Sequence, residues 1–303
     1  MKSRSLLSKA VVSSLLLFQV LSVSASDLTS DIQEVIKGKK AQVGVAVLYK
    51  DDAFTANNDD QYPLMSVFKF HIALAVLKKM EQEGIPLTAV VTLGPSDIDT
   101  KTWSPMYKKY KSKKITLSYG DLISYMVSQS DNNACNWLIN FVGGIQNVND
   151  FIKNLGIDRI QLIETEKSNI RKSYNNWSTP LSVTQLLRKV YTEKVLSDEH
   201  FAFLEKAMLA SASGKDKFRA GLPKEVEVGH KTGMSYRTPE GIRMCDADVG
   251  VIYMPRGEKC YLAVLVKDSK ETDAANAKIM ADIAKKVYSH YTENAGKNSA
   301  PAK

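Results

Sequence analysis

The sequence predicts an α+β fold in which one antiparallel sheet is assembled from both ends of the chain and an all-helical block is inserted between them. Three observations lead there. β-rich runs occur near the start, at residues 43–49, and again near the end, at 226–232, 248–254 and 261–267. Between about 95 and 208 the apolar spacing is helical instead. A short helical pattern flanks the strands at each end, at 31–37 and 272–288. Joining the terminal parts into one sheet with helices on its faces is the simplest way to bury these patterns. The cleft between sheet and helical block is then the natural site.

In order, residues 1–25 read as a leader. Lys2, Arg4 and Lys9 start it, residues 10–20 are apolar, and Val23-Ser24-Ala25 is a small-residue cleavage site. The run is short for a membrane span, so export with cleavage after Ala25 or Ser26 is expected, and no cysteine follows that could take a lipid anchor. The sheet part comprises 26–60 and 211–293, the helical part 61–210, and 294–303 a polar tail. The helix at 31–37 ends at Gly38. The strand at 43–49 turns at Asp51-Asp52 into a second strand through Phe54. Val67 to Met80 is apolar nearly all round, the mark of a buried helix, and Gly84 ends it. Residues 87–94 are extended.

Ser118 with Asp121 is a capping signature for a helix through Val127. Residues 134–141 and 148–155 continue the helical pattern, closed by Gly143-Gly144 and Gly156. Residues 160–179 have no periodicity, and a loop that long in a compact domain is commonly functional. Amphipathic helices follow at 181–191 and 200–210. The last two strands meet across a turn at 255–258, a register that sets Cys260 opposite Tyr253 and not Cys245.

Composition excludes several classes. The net charge of +8 is mild, and three of those charges lie in the leader. The densest basic run is Lys108, Lys109, Lys111, Lys113 and Lys114, interleaved with Tyr107 and Tyr110. It reads as a solvated loop, and export removes nucleic acid as a partner. Cys135, Cys245 and Cys260 have no metal-ligand spacing, so no metal is expected, and no disulfide is assigned.

Four short stretches carry the chemistry. Ser66 and Lys69 lie three apart on the first turn of the buried helix, near backbone N–H groups that lack helical partners. Alone, Ser-x-x-Lys is as well read as a helix cap and a snorkelling lysine. It occurs once in the chain, however, and is followed by one Ser130-Asp131-Asn132 at a helix start and one Lys231-Thr232-Gly233 at a strand end. Glu164-Thr165-Glu166 lies in the long loop.

This set resembles the class A serine β-lactamases over essentially the whole mature chain. Trp103-Ser104-Pro105 is similar to the aromatic gate of that family, and Asn175–Pro180 with Gly229-His230-Lys231-Thr232-Gly233 to its cephalosporinase-leaning branch. The resemblance implies the β-lactamase/transpeptidase-like fold and a small-molecule β-lactam substrate, with no cofactor or metal, acting as an exported, periplasmic monomer. It also implies roles: Ser66 as nucleophile with Lys69 activating it, since a free serine is a weak nucleophile. The backbone N–H groups of Ser66 and Met234 would form the oxyanion hole. Ser130 would pass a proton to the leaving nitrogen, Asn132 would hold the substrate's side-chain amide, and Lys231 and Thr232 its carboxylate. A loop glutamate would activate the deacylating water. Glu164 is taken for this role because the first Glu of a Glu-x-Glu pair is catalytic in several family members and its spacing from Trp177 and Pro180 is nearer the family's. Glu166 is its rival. Asn136 would anchor the catalytic Glu, and Ser168 would stand where the family has an Asn. Arg219, Arg237 and Arg243 are unranked candidates for assisting at the carboxylate. The alternatives are a penicillin-binding peptidase or receptor domain that stays acylated, and a non-catalytic periplasmic binding protein.

Overall fold

The computed structural model describes residues 22–112, 114–168 and 170–297. Most of the expected leader, and the end of the expected tail, lie outside them. After helix α1 (Ser22–Ile36), the chain forms strands β1 (Gln42–Tyr49), β2 (Asp52–Ala56) and the two-residue β3 (Tyr62–Pro63). A 3₁₀ turn, Met65–Val67, leads into α2 (Phe68–Glu83). Helix α2 stops where Gly84 takes φ +66°, the left-handed C-cap that glycine adopts without strain.

The block that follows alternates helices with short strands: β4 (Val90–Leu93), α3 (Pro105–Tyr110), β5 (Ile115–Ser118), α4 (Tyr119–Ser128), α5 (Asn132–Phe141) and α6 (Ile145–Asn154). Ser118 and Asp121 cap α4 reciprocally, as their spacing predicts. The aperiodic stretch contains only the strand pairs β6 (Ile160–Gln161) and β7 (Trp177–Ser178) and a 3₁₀ segment at Ile170–Asn175. Helices α7 (Pro180–Thr192), α8 (Asp198–Leu209) and the single turn α9 (Phe218–Gly221) return the chain to the sheet, which β8 (Val228–Met234), β9 (Arg243–Tyr253) and β10 (Lys259–Ser269) complete before α10 (Asp273–Lys297).

The main sheet has the order β2-β1-β10-β9-β8, with every pair antiparallel. The strand nearest the start is thus zipped to the strand nearest the end, Gln42 opposite Lys267. Side chains alternate between two apolar layers, as the pleat requires. Val43, Val45, Val47, Leu262 and Val264 pack against α1 and α10. Leu48, Ala247, Val249, Val251 and Leu265 join the larger core built on α2. Both faces of the sheet are therefore covered.

Three details differ from the sequence reading. The terminal helix continues to Lys297, four residues into the expected tail. Cys260 lies opposite Ile252 and not Tyr253, because the Pro255–Gly257 3₁₀ turn sets the register with Lys259 opposite Tyr253; Cys245 faces Lys267. The basic run is in part helical: Pro105 starts α3, and Ser104 caps it by accepting the Tyr107 N–H, which brings Lys108 and Lys109 onto the helix. Cys135, Cys245 and Cys260 are buried free thiols.

Candidate active site

Ser66 lies in the middle of the 3₁₀ turn, not in the first α-helical turn, and Met65 before it has φ +41°. A non-glycine residue in that region is costly, and such strain gathers at functional turns. Lys69 follows one turn later, fully buried. Its Nζ donates to Ser66 Oγ at 2.8 Å, to Asn132 Oδ1 at 2.9 Å, and to a carboxylate oxygen of Glu166. A buried ammonium needs this full set of acceptors.

The second wall comes from the turn between α4 and α5. Ser130 also has positive φ, +57°. Asp131 beside it is buried and caps α5 through the Ala134 N–H, while its other oxygen accepts from Ser104 Oγ and the Met106 N–H, both at 2.8 Å. One carboxylate thereby ties the start of α3 to the start of α5. Trp103 closes this side: its indole N–H donates to the Gln129 carbonyl at 3.1 Å, its carbonyl accepts the Asn132 N–H, and the residue is 52 % exposed. Asn132 Nδ2 donates to Thr102 Oγ1 at 2.8 Å, which orients its amide.

The third wall is β8. Lys231 is buried and donates to Ser130 Oγ at 3.1 Å and to the Thr232 carbonyl at 2.8 Å. Burial first, and then the charge of Lys69, push its pKa down to about 7. Thr232 Oγ1 shares a 2.6 Å hydrogen bond with Ser213 Oγ. Gly233 has a steric reason. A Cβ built there would lie 2.4 Å from the Leu64 carbonyl and 3.2 Å from Ser66 N, so only glycine lets β8 come this near the serine turn. Met234 follows, half exposed at the cleft rim.

The loop glutamates behave differently from the sequence expectation: Glu166, not Glu164, reaches Lys69. The physical reason is the local turn, closed by the Ser168 N–H on the Thr165 carbonyl. Asn136 accepts the Glu166 N–H at 3.1 Å, so the anchor expected for Glu164 holds Glu166. Asn176 accepts the N–H groups of Ile163 and Glu164 and donates to the Glu164 carbonyl, all at 2.8 Å. The Glu164 carboxylate is turned into the loop instead, taking Ser168 Oγ and Asn175 Nδ2, and these donors lower its pKa.

The elements enclose a cleft of about 800 Å³ lined by Ser66, Trp103, Ser130, Asn132, Glu166 and Thr232 among others. Of the three arginines, Arg243 lines the cleft, held by the Ser235 carbonyl and Asp273. Arg219 is engaged with the Leu209 and Val228 carbonyls and Arg237 with Asp273. Thr102, Asp131 and Ser213 were missed by the sequence reading. Asp131 alone had a local signal, as the cap residue of the helix that starts at Asn132.

The arrangement offers a hydroxyl beside a buried amine and carboxylate, a second hydroxyl beside a second amine, and two backbone edges in close approach. That is equipment for nucleophilic attack on a carbonyl with proton transfer on both sides. The comparisons agree. A β-lactamase from Bacteroides uniformis is 42% identical over 268 residues, 87% of this chain and 90% of that protein. The extended-spectrum β-lactamase PER-1 of Pseudomonas aeruginosa is 33% identical, with 86% of each chain covered. The crystal structure of a class A β-lactamase from Bacteroides cellulosilyticus DSM 14838 superposes with a TM-score of 0.87 at 42% identity, covering 89% of this chain and 99% of that one. The family model described as the β-lactamase enzyme family matches residues 27–291, and with these relatives it establishes that the chain belongs to the class A serine β-lactamases.

Proposed function

We propose that the protein is an exported β-lactamase that opens the β-lactam amide through an acyl-enzyme on Ser66 and so confers resistance to β-lactam drugs. Ser66 Oγ attacks the carbonyl carbon, and its proton passes to the joined Lys69–Glu166 pair. The oxyanion is held by the backbone N–H groups of Ser66 and Met234, donors fixed in advance of the charge they stabilise. Ser130 delivers its proton to the departing ring nitrogen and regains, relayed past Lys231, the one that Ser66 gave to the Lys69–Glu166 pair, so that Glu166 is again a free carboxylate and Lys231 keeps its charge. Asn132 holds the side-chain amide, Trp103 the outer edge of the substrate, and Lys231 with Thr232 its carboxylate. Glu166 then removes a proton from water, whose oxygen bonds to the acyl carbon, and returns that proton to Ser66 Oγ as the ester C–O bond breaks.

The observation that carries this reading is the three-way contact of the Lys69 ammonium with Ser66, Asn132 and Glu166. A loop carboxylate on the nucleophile's own lysine favours turnover over a penicillin-binding domain that stays acylated. Export rests on the leader pattern in residues 1–25, with the periplasm as the compartment. No helix among the described residues is long and apolar enough to cross a membrane.

Intact-mass spectrometry after mixing with a cephalosporin tests the scheme. Glu166→Ala should accumulate an acyl adduct, with turnover lower by about 10²–10⁴-fold as for loss of a general base. Glu164→Ala should keep turning over, and Ser66→Ala should form no adduct. An adduct on Ser66→Ala, or trapping by Glu164→Ala in place of Glu166→Ala, overturns the assignment.

A further inference from the structure

We propose that a collar of unpaired lysines on the Trp103 side of the cleft selects substrates by net charge, favouring β-lactams with a second anionic group over zwitterionic ones; this rests on the hydrolase reading above. The sequence from residue 100 to 120 contains no Asp or Glu and six lysines, at 101, 108, 109, 111, 113 and 114. The fold lays the first part of this stretch along the cleft, with Lys101, Thr102, Trp103 and Pro105 in its lining. Helix α3 carries Lys108 and Lys109, Lys111 is its C-cap, and Lys114 is exposed beyond it.

These ammonium groups lack acidic partners. Among the described residues, none of Lys101, Lys108, Lys109, Lys111 and Lys114 forms an ion pair. Other surface lysines do pair, as Lys78 with Glu81, Lys79 with Glu83, Lys189 with Glu193 and Lys278 with Asp282. The nearby acids make other contacts, and of them Asp99 lines the cleft beside Lys101. Asp99 accepts the Lys101 backbone N–H, Asp121 caps α4, and Asp131 is buried beneath three donors.

Two of the lysines are held in place by rings. Lys108 Nζ lies 4.0 Å from the centre of the Trp103 ring, and Lys109 Nζ lies 5.2 Å from that of Tyr110. Such contacts fix an ammonium that solvent would otherwise leave mobile. The charge nearest the cleft is therefore set at the very residue that forms its rim. Across the cleft, Lys172 is ion-paired with Glu164 at 3.8 Å and so stands outside the collar. On the Trp103 side Lys101, Lys108, Lys109, Lys111 and Lys114 outnumber Asp99, and such an excess of one sign beside a low-dielectric cleft concentrates ligands of opposite sign and raises their on-rate by about 10–10³-fold. The carboxylate common to the drugs is assigned to Lys231 and Thr232, so the collar acts on whatever charge the substrate's side chains add.

The test compares kcat/KM for β-lactams of net charge −2, −1 and 0 at low salt and at about 0.3 M salt, where the screening length is shorter than about 8 Å. The enzymes are the parent, the variant Lys108→Gln, Lys109→Gln, Lys111→Gln, Lys114→Gln, and the same four positions changed to Arg. At low salt the Gln variant should lose about tenfold for the dianion through KM, keep kcat, and leave the zwitterion unchanged. High salt should lower the parent to the same level, and the Arg variant should behave as the parent does. Equal losses for all three substrates, no loss at low salt, or loss in the Arg variant overturns the collar alone. A parent that hydrolyses none of the three overturns the function beneath it.

Discussion

Lys231 is a cation kept out of water beside a second cation, and its pKa of about 7 follows from that placement. As the proposed carboxylate anchor it must be charged in the free enzyme. The kcat/KM for an anionic substrate should therefore fall as pH rises through about 7, since kcat/KM reports the free enzyme. Lys231→Arg should move that alkaline limb upward, because a guanidinium stays charged. Lys231→Ala removes a charge-assisted contact worth roughly 1.5–3 kcal/mol, so kcat/KM should drop by roughly ten- to more than a hundredfold at neutral pH. His71 in α2 sets a second pH dependence, in stability. Burial pushes its pKa down to about 4 from 6.5, so the unfolded chain binds the proton first. Stability should fall as pH drops from about 6.5 to 4, by about 3 kcal/mol in all, and chemical denaturation of His71→Gln should show a flatter profile across that window. At this scale the sequence was legible where a residue belongs to a regular element. Ser66, Lys69, Ser130, Asn132 and Lys231 come together as their motifs suggest. The structure sets Glu166 and not Glu164 against Lys69, and that placement depends on one turn at Thr165–Ser168, whose geometry has no period to read.

Strand β8 and the Met65–Val67 turn act as the two jaws of the proposed oxyanion hole, and Gly233 sets how far apart they are. In Gly233→Ala the added methyl meets the Leu64 carbonyl, and one jaw must move. Misplacing a donor there costs about 10²–10³-fold in kcat, while overpacking costs about 1–3 kcal/mol in stability. Steady-state kinetics and a thermal melt should show both losses, with KM changed less than kcat. Normal kcat in that variant would place the oxyanion elsewhere. Elements with caps and breakers were readable in advance: α2 ends at Gly84 and α4 starts at Ser118. The end of α10 was not, since Asn294 to Lys297 is polar in sequence yet stays in the helix. The cap of α3 was hidden as well, because Ser104-Pro105 was read as part of a gate while it was also starting a helix.

Across the whole molecule, the division into one sheet from both chain ends and a middle block is what the sequence disclosed most completely, because β-rich runs occur at both ends and the spacing between them is helical. The partner of each strand was less visible. Nothing local in β1 says that β10, more than 200 residues later, is its neighbour. Strand β10 sits in the centre of the sheet, between β1 and β9. Without it the sheet divides into two unconnected hairpins, β2 with β1 and β9 with β8, and only the second carries Lys231 and supports the Ser66 turn. A chain ending at Met254 should therefore remain protease-sensitive and inactive, although it contains every proposed catalytic residue; a resistant, active fragment would show that the sheet closes some other way. Long-range pairing of this kind is slow, since the loop must close before contacts reward it. In the order of synthesis, the last long strand made is the keystone, so the nascent chain has no finished fold to hold it back in the compartment where it is translated. The same arrangement that fixes the enzyme after the proposed export would leave it threadable before.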